Sequence, residues 1–191
     1  MSFGRSPPRI RAWLVGAAVL AVAWAAWAGK LVPVTLRSAI IIRSAGYERG
    51  FAERSGGAVL AVVSSKSGAS ADDGRAMAGA LAKANQIGGR TTRVVQIESS
   101  GKTVAELRSQ KAEIVYVAEG LEGLVKDIPG QEGGISRIIV CANGADVGGV
   151  GCTLGVELVD DKPRIVLNLK QANAVGLRFQ PEFLRLARIV R

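Results

Sequence analysis

The amino-acid sequence predicts an α/β protein: a three-layer sandwich with a mainly parallel sheet, built βαβαβαβ, extended by a C-terminal β-hairpin and a terminal helix. Three observations carry that expectation. Short continuous apolar runs at residues 58–63, 114–117 and 138–141 have the length and composition of strands buried on both faces. Segments with apolar residues at helical spacing separate them, so the strands are joined by crossovers, and right-handed crossovers give a parallel sheet covered on both sides. After Cys141 the apolar period becomes alternating, which marks an antiparallel addition.

The elements follow in chain order. From residue 34 to about residue 54, Leu36, Ala39, Ile40, Tyr47 and Phe51 recur at helical spacings with Arg37, Arg43, Glu48 and Arg49 between them, an amphipathic first helix stopped by Gly56-Gly57. Residues 58–63 form the first strand. Asp72 and Asp73 open a second helix with Met77, Ala80, Leu81 and Ala84 facing inward; Gly88-Gly89 ends it, and residues 94–97 form the next strand. Thr103 and Glu106 make a T-x-x-E capping box for a short helix. The third strand, 114–117, leads into a helix carrying Leu121, Leu124, Val125 and Ile128, and the fourth strand is 138–141. Leu154, Val156 and Leu158, then Ile165, Leu167 and Leu169, alternate on either side of Asp160-Asp161-Lys162-Pro163, a hairpin from about 152 to 169. Pro181 starts a terminal amphipathic helix with Phe183, Leu184, Ala187 and Val190 on one face and Arg185, Arg188 and Arg191 on the other.

Composition bounds the chemistry. The chain has 191 residues, 25 Lys+Arg against 16 Asp+Glu, two cysteines and no histidine. Without histidine there is no Ser-His-Asp or Cys-His nucleophile, no imidazole acid or base and no His-ligated zinc, so the expectation is a protein that is not an enzyme and holds no metal or cofactor. Arg5, Arg9 and Arg11 precede an uncharged run at residues 12–29 that ends in Ala26-Trp27-Ala28, the layout of a cleaved export signal over residues 1–28. The alternative is a retained membrane anchor, which the alanine-rich run disfavours. Cleavage would lower the net charge from +9 by three arginines to +6 over residues 29–191. The remaining basic residues are scattered, and the aromatics after residue 28 are Tyr47, Phe51, Tyr116, Phe179 and Phe183. Clustered cations with stacking rings are missing, so nucleic acid is not an expected partner.

Several motifs have plain structural explanations. Ser99-Ser100-Gly101-Lys102-Thr103 follows a strand and opens a helix, but Gln96 stands where a phosphate-binding loop needs its first glycine, so a helix start is expected. Gly144, Gly148, Gly149 and Gly151 precede a hairpin and not a helix that would hold a pyrophosphate, which leaves a tight or mobile loop. Asp72/Asp73 and Asp160/Asp161 suit helix-start and turn positions. In an oxidising compartment Cys141 and Cys152 allow one intramolecular disulfide, provided that their Cα atoms approach within about 7 Å.

The C-terminal third carries a more specific pattern: Val156-Glu157-Leu158, the Asp-Asp-Lys-Pro turn, Arg164-Ile165-Val166-Leu167-Asn168-Leu169, then Gly176-Leu177-Arg178-Phe179 and Phe183-Leu184-Arg185-Leu186-Ala187-Arg188. This resembles the YfiR family of exported regulatory proteins, whose members share a strand closing in Asn-Leu, a Gly-Leu segment and a helix bearing Leu-x-Leu-Ala-Arg. The resemblance implies a non-catalytic α/β domain of the periplasm over residues 29–191. Its best-known member holds down a membrane-embedded GGDEF diguanylate cyclase by binding that enzyme's periplasmic part, which lowers cyclic di-GMP signalling; related domains occur with sensor kinases. Two departures stand out. Glu53-Arg54-Ser55-Gly56 replaces a Trp-Pro that often ends the first helix, and Ala61 and Ala112 stand where some members have cysteines, so that only Cys141 and Cys152 remain for redox chemistry.

The resulting expectation is a periplasmic regulator that binds, and represses, a membrane diguanylate cyclase or sensor kinase, with self-association into a homodimer through the same surface. Ile165, Leu167, Leu184 and Ala187 are assigned to the core, and Asn168 to the satisfaction of the turn after its strand. Arg164, Phe179, Phe183 and Arg185 are assigned to partner contact, because arginine and aromatic side chains anchor protein interfaces. The alternative is a periplasmic small-ligand domain using Ser64-Ser65-Lys66-Ser67 and Glu98-Ser99-Ser100-Gly101, the loops at the carboxyl ends of the first strands.

Overall fold

The computed structural model describes residues 31–190. The expected export signal at residues 1–28 lies outside them. Eight strands form one sheet in the order β10-β9-β8-β7-β4-β1-β3-β2. At its centre, β1 (Ala58–Ser64), β3 (Arg90–Glu98), β4 (Ile114–Val117) and β7 (Ile138–Cys141) run parallel, in registers such as Val62↔Tyr116 and Tyr116↔Val140. The apolar runs of β1, β4 and β7 are there because each of these strands has a covered face on both sides. Leu60, Val62, Ile114, Tyr116, Ile138 and Val140 point into one core cluster; Ala61, Val63, Val115, Val117, Ile139 and Cys141 point into a second on the opposite face. The expected three-layer architecture is present.

The first face is covered by α1 (Val34–Gly46) and α2 (Ala69–Leu81). Helix α1 ends earlier than its sequence spacing suggests. Beyond Gly46 the chain turns, placing Glu48 and Phe51 in the interior and Arg54 above the Phe51 ring at 5.5 Å. Helix α2 starts at Ala69, before the Asp pair, and buries Ala71, Gly74, Met77, Ala78 and Leu81; Ala80 and Ala84 are only half-buried. Gly74 is required there, because a Cβ would lie 2.4 Å from Ser64 Cβ. Gly88-Gly89 does not end α2. With φ of 56° and 81°, the pair makes the two-residue turn that joins β2 (Gln86–Ile87) antiparallel to β3.

The second face carries shorter cover: α3 (Thr103–Ser109), a 3-10 helix at Glu122–Asp127, where a helix with Leu121 and Ile128 was expected, another at Gly144–Asp146, and the single turn α4 (Val147–Val150). The capping box of α3 does not form. Lys102 is the N-cap residue, and Thr103 Oγ1 accepts from Ser100 N at 2.8 Å inside the preceding turn. A two-stranded ribbon, β5 (Gln131–Glu132) with β6 (Ile135–Ser136), stands beside the main sheet.

The hairpin β8 (Leu154–Val159) and β9 (Lys162–Asn168) forms as expected, turning through Asp160 and Asp161 at φ of 51° and 57°. The glycines before it serve close approach: a Cβ on Gly155 would meet Val147 Cγ2 at 2.5 Å and Gly144 Cα at 2.8 Å. Asn168 caps α5 (Leu169–Ala174), its Oδ1 accepting from Gln171 N at 2.9 Å. The terminal helix is corrected. Helix α6 covers only Pro181–Leu186, and Ala187–Val190 forms β10, parallel to β9. Ala187 and Val190 share a helical spacing with Phe183, but β-branched Ile189 and Val190 suit a strand, and β9 offers an open edge to pair with.

Candidate interaction face

Helix α1 is inverted relative to its sequence pattern. The residues that it buries are Arg37, Ser38, Ile41, Ser44 and Ala45, while Leu36 and Ala39 are exposed and Ile40 and Tyr47 half-buried. Arg37 makes this affordable to the fold: its guanidinium donates to the Tyr116 hydroxyl and to Asp73 Oδ1 at 2.5 Å, and the Tyr116 hydroxyl donates to Asp73 Oδ2 at 2.6 Å. A buried charge is tolerated when it is paired and hydrogen-bonded. Burial, more than the Asp73 carboxylate beside it, holds the Tyr116 phenol far above its ordinary pKa, against the opposing pull of Arg37. The inward face of α1 is therefore mixed, with Arg37, Ser38 and Ser44 beside Ile41 and Ala45, and Leu36 and Ala39 are left outside.

Two grooves flank that outward face. One, of about 820 Å³, lies between α1 and the β2–β3 turn and is lined by Leu36, Ala39, Ile42 and Ile87 among others. The second, of about 560 Å³, lies between α1, the β8–β9 turn and α6; Ile40, Tyr47, Ile165 and Phe183 supply its apolar lining, and Arg43, Lys162 and Arg164 its cations. Leu186 lies on the same side at 61% exposure, the most exposed large apolar residue among those described.

The four residues assigned to partner contact separate into two pairs. Arg164 and Arg185 are exposed. Phe179 and Phe183 are 6% and 1% exposed, so they are core residues and not surface anchors. They stack on each other with ring centroids 5.0 Å apart, and Phe183 stacks on Tyr47 at 5.6 Å, which fastens α6 to the end of α1. Backbone bonds reinforce the join: Gln180 N donates to Tyr47 O at 3.0 Å and Arg49 N to Arg178 O at 2.8 Å. The partly buried Ile165, Leu184 and Ala187 pack against the same core, in which Leu167 is fully enclosed.

A second polar cluster sits at the amino ends of the central strands. Glu113 accepts from Arg90 at 2.7 and 2.8 Å and from Arg54 at 3.0 Å, while Arg54 also pairs with Glu48 at 2.8 Å. These groups satisfy one another, and Arg90 spends further donors on the carbonyls of Phe51 and Gly56. Their role is to tie the segment after α1 to the sheet.

The loops considered for a small ligand are likewise occupied by their own bonds. Ser65 Oγ donates to Ser67 O at 2.7 Å, Ser65 N to Ser70 Oγ at 3.2 Å and Ser99 N to Ser64 O at 2.8 Å. Cys141 and Cys152 form a disulfide with Cα atoms 5.9 Å apart, both buried in the second core cluster. It ties the end of β7 to the start of β8, on the opposite face of the sheet from α1. Among the described residues no group of His, Cys, Asp and Glu could hold a metal ion, and no helix is long and apolar enough to cross a membrane.

The inversion of α1 was hidden from sequence reasoning because Leu36, Ala39 and Ile40 look like a core stripe. One signal was available: Arg37 and Ser44 lie seven positions apart, on one side of the helix, with Ile41 between them.

Comparison with protein families matches residues 35–188 to the family described as YfiR/HmsC-like. No curated protein matches the chain. Among solved structures, the ABC domain in complex with L-Trp from Streptococcus pneumonia is similar, with a TM-score of 0.54 and 14% identity over 83% of this chain and 62% of that one. This chain thus spans less than two thirds of that structure, and at such identity the likeness is one of fold.

Proposed function

The chain belongs to the YfiR/HmsC-like family, and we propose on that premise that it is a periplasmic, non-catalytic regulator acting by contact with the periplasmic part of a membrane signalling enzyme, a diguanylate cyclase or a sensor kinase, whose output it represses. The observation that carries the reading is the outward apolar face of α1, with Leu36 and Ala39 exposed between two grooves. Leu36 and Ala39 left outside, beside the cations of the neighbouring groove, form an exposed apolar patch flanked by charge, which marks a protein-binding surface. Repression is a population shift: binding lowers output to the extent that the regulator prefers the enzyme's inactive arrangement over its active one. Self-association through Leu36 and Ala39, on the side of α1 away from the β8–β9 turn, is part of the proposal.

The test is affinity capture of the tagged protein from its own envelope after mild cross-linking, with the captured chains identified by mass spectrometry. Recovery of a diguanylate cyclase or sensor kinase, lost on Leu36→Glu substitution, is the expected result. Recovery of no membrane signalling protein overturns the reading.

A further inference from the structure

We propose that the groove between α1 and the β8–β9 turn receives an acidic amphipathic segment of the membrane partner, with a hydrogen-bonding group set on Ser44 Oγ and carboxylates set against Arg43, Lys162 and Arg164. This rests on the contact reading above and adds the chemistry of what is contacted.

Charge is the first ground. Arg43, Lys162 and Arg164 line the groove together with a single carboxylate, Asp160. None of the three cations forms a salt bridge among the described residues, whereas Glu157, which faces Arg164 across the hairpin, is spent on Arg188 at 2.9 and 3.0 Å. A surface of that sign steers and holds an acidic partner. A second copy of the chain docked by the same face would set these cations against their own kind, so the occupant is a different chain.

The floor supplies the second ground. Ser44 lines the groove at 1% exposure, and its Oγ has no hydrogen-bond partner in the structure. A serine inside a helix ordinarily gives its hydroxyl to a carbonyl of the preceding turn or to water. An unmade buried hydroxyl destabilises the free protein, and a hydrogen-bonding group that arrives with the occupant removes the deficit. A polar atom on the floor of a groove is also how binding sites fix the orientation of what they hold. Around it, Ile40, Tyr47 and Leu186 offer the apolar surface that an amphipathic segment buries.

The experiment places the photoreactive residue p-benzoylphenylalanine at Lys162 in the full-length chain and, as a control, at Ala82, an exposed position just past α2. After irradiation in the native envelope, the joined peptides are sequenced. The expected result is that position 162 captures a partner segment with apolar residues at helical spacing flanked by Asp or Glu, and that position 82 does not. A partner captured at position 82 alone, or a neutral or basic segment at 162, overturns this inference while leaving the contact reading standing. If neither position, nor the capture experiment above, yields a membrane protein, the contact reading fails and takes this inference with it.

Two variants then separate the grounds, with affinity measured against the captured partner's periplasmic part. Arg164→Glu weakens binding tenfold or more and leaves the melting temperature in place; unchanged affinity overturns the role of charge. Ser44→Ala raises the melting temperature by about 2–4 °C while weakening binding severalfold, a combination that a purely structural serine would not give. Unchanged affinity in Ser44→Ala overturns the role of the hydroxyl.

Discussion

The two faces of the sheet are covered by different means. Over one lie α1 and α2, each of 13 residues, together with α6 and its aromatic stack. Over the other lie helices of 7, 6, 3 and 4 residues and the Cys141–Cys152 disulfide. Short helices have little stability of their own. On the second face a covalent link therefore adds to what short helices hold weakly. On the first face α1 buries Ile41 and Ala45 beside the Arg37 ion triad, which leaves Leu36 and Ala39 outside. The lesson is that the proposed contact surface lies over the face with the long helices, while the disulfide lies on the face whose cover is short.

The largest effect that breaks this comparison is expected at the aromatic join. Phe183→Ala removes a side chain that is 1% exposed and costs about 3–5 kcal/mol in urea unfolding. A charged residue at Phe183 or Phe179 would therefore disrupt the fold and report nothing about a partner. Next comes the staple. Replacing Cys141 and Cys152 by serine costs about 2–4 kcal/mol, and hydrogen exchange should rise at α4 and the start of β8 while α1 and α2 keep their protection. Uniform loss of protection across both faces would contradict the division of labour.

The ion triad gives a smaller effect with a definite sign. Tyr116→Phe removes the hydroxyl from the triad, leaving Arg37 and Asp73 paired only with each other, and costs about 1–3 kcal/mol. Because the folded-state pKa of Tyr116 is raised above its unfolded value of about 10, its contribution is fully present below pH 10 and is lost as pH rises above it. The stability of the native protein should fall more steeply above pH 10 than that of Tyr116→Phe, with tyrosinate absorbance from Tyr116 appearing only on unfolding. The smallest effect is at the exposed cations: Arg185→Ala and Arg164→Ala change stability by no more than about 0.5 kcal/mol.

Most of the central sheet was legible in the sequence, since strands buried on both faces must be continuous apolar runs, and β4 and β7 fall on the expected residues. The hairpin followed from its alternation and Asp-Asp turn. What spacing alone missed was decided by tertiary partners. Arg37 lies inside because Tyr116 and Asp73, 79 and 36 positions away, meet it there. Ala187 left its helical pattern because β9 had an open edge, and Gly88-Gly89 served a hairpin too short to announce itself. Of the four residues assigned to partner contact, Arg164 and Arg185 are exposed, whereas Phe179 and Phe183 obey the commoner rule that aromatics belong to the core.

The central claim is that α1's outward face and the groove beside it are a contact surface that folding does not require. The direct measurement is the melting temperature of Leu36→Glu and Arg43→Glu, set beside the yield of the membrane partner in cross-linked capture. Both side chains are exposed, so the account predicts melting temperatures within about 2 °C of the native protein and loss of the captured partner. Capture at full yield by both folded variants would contradict it.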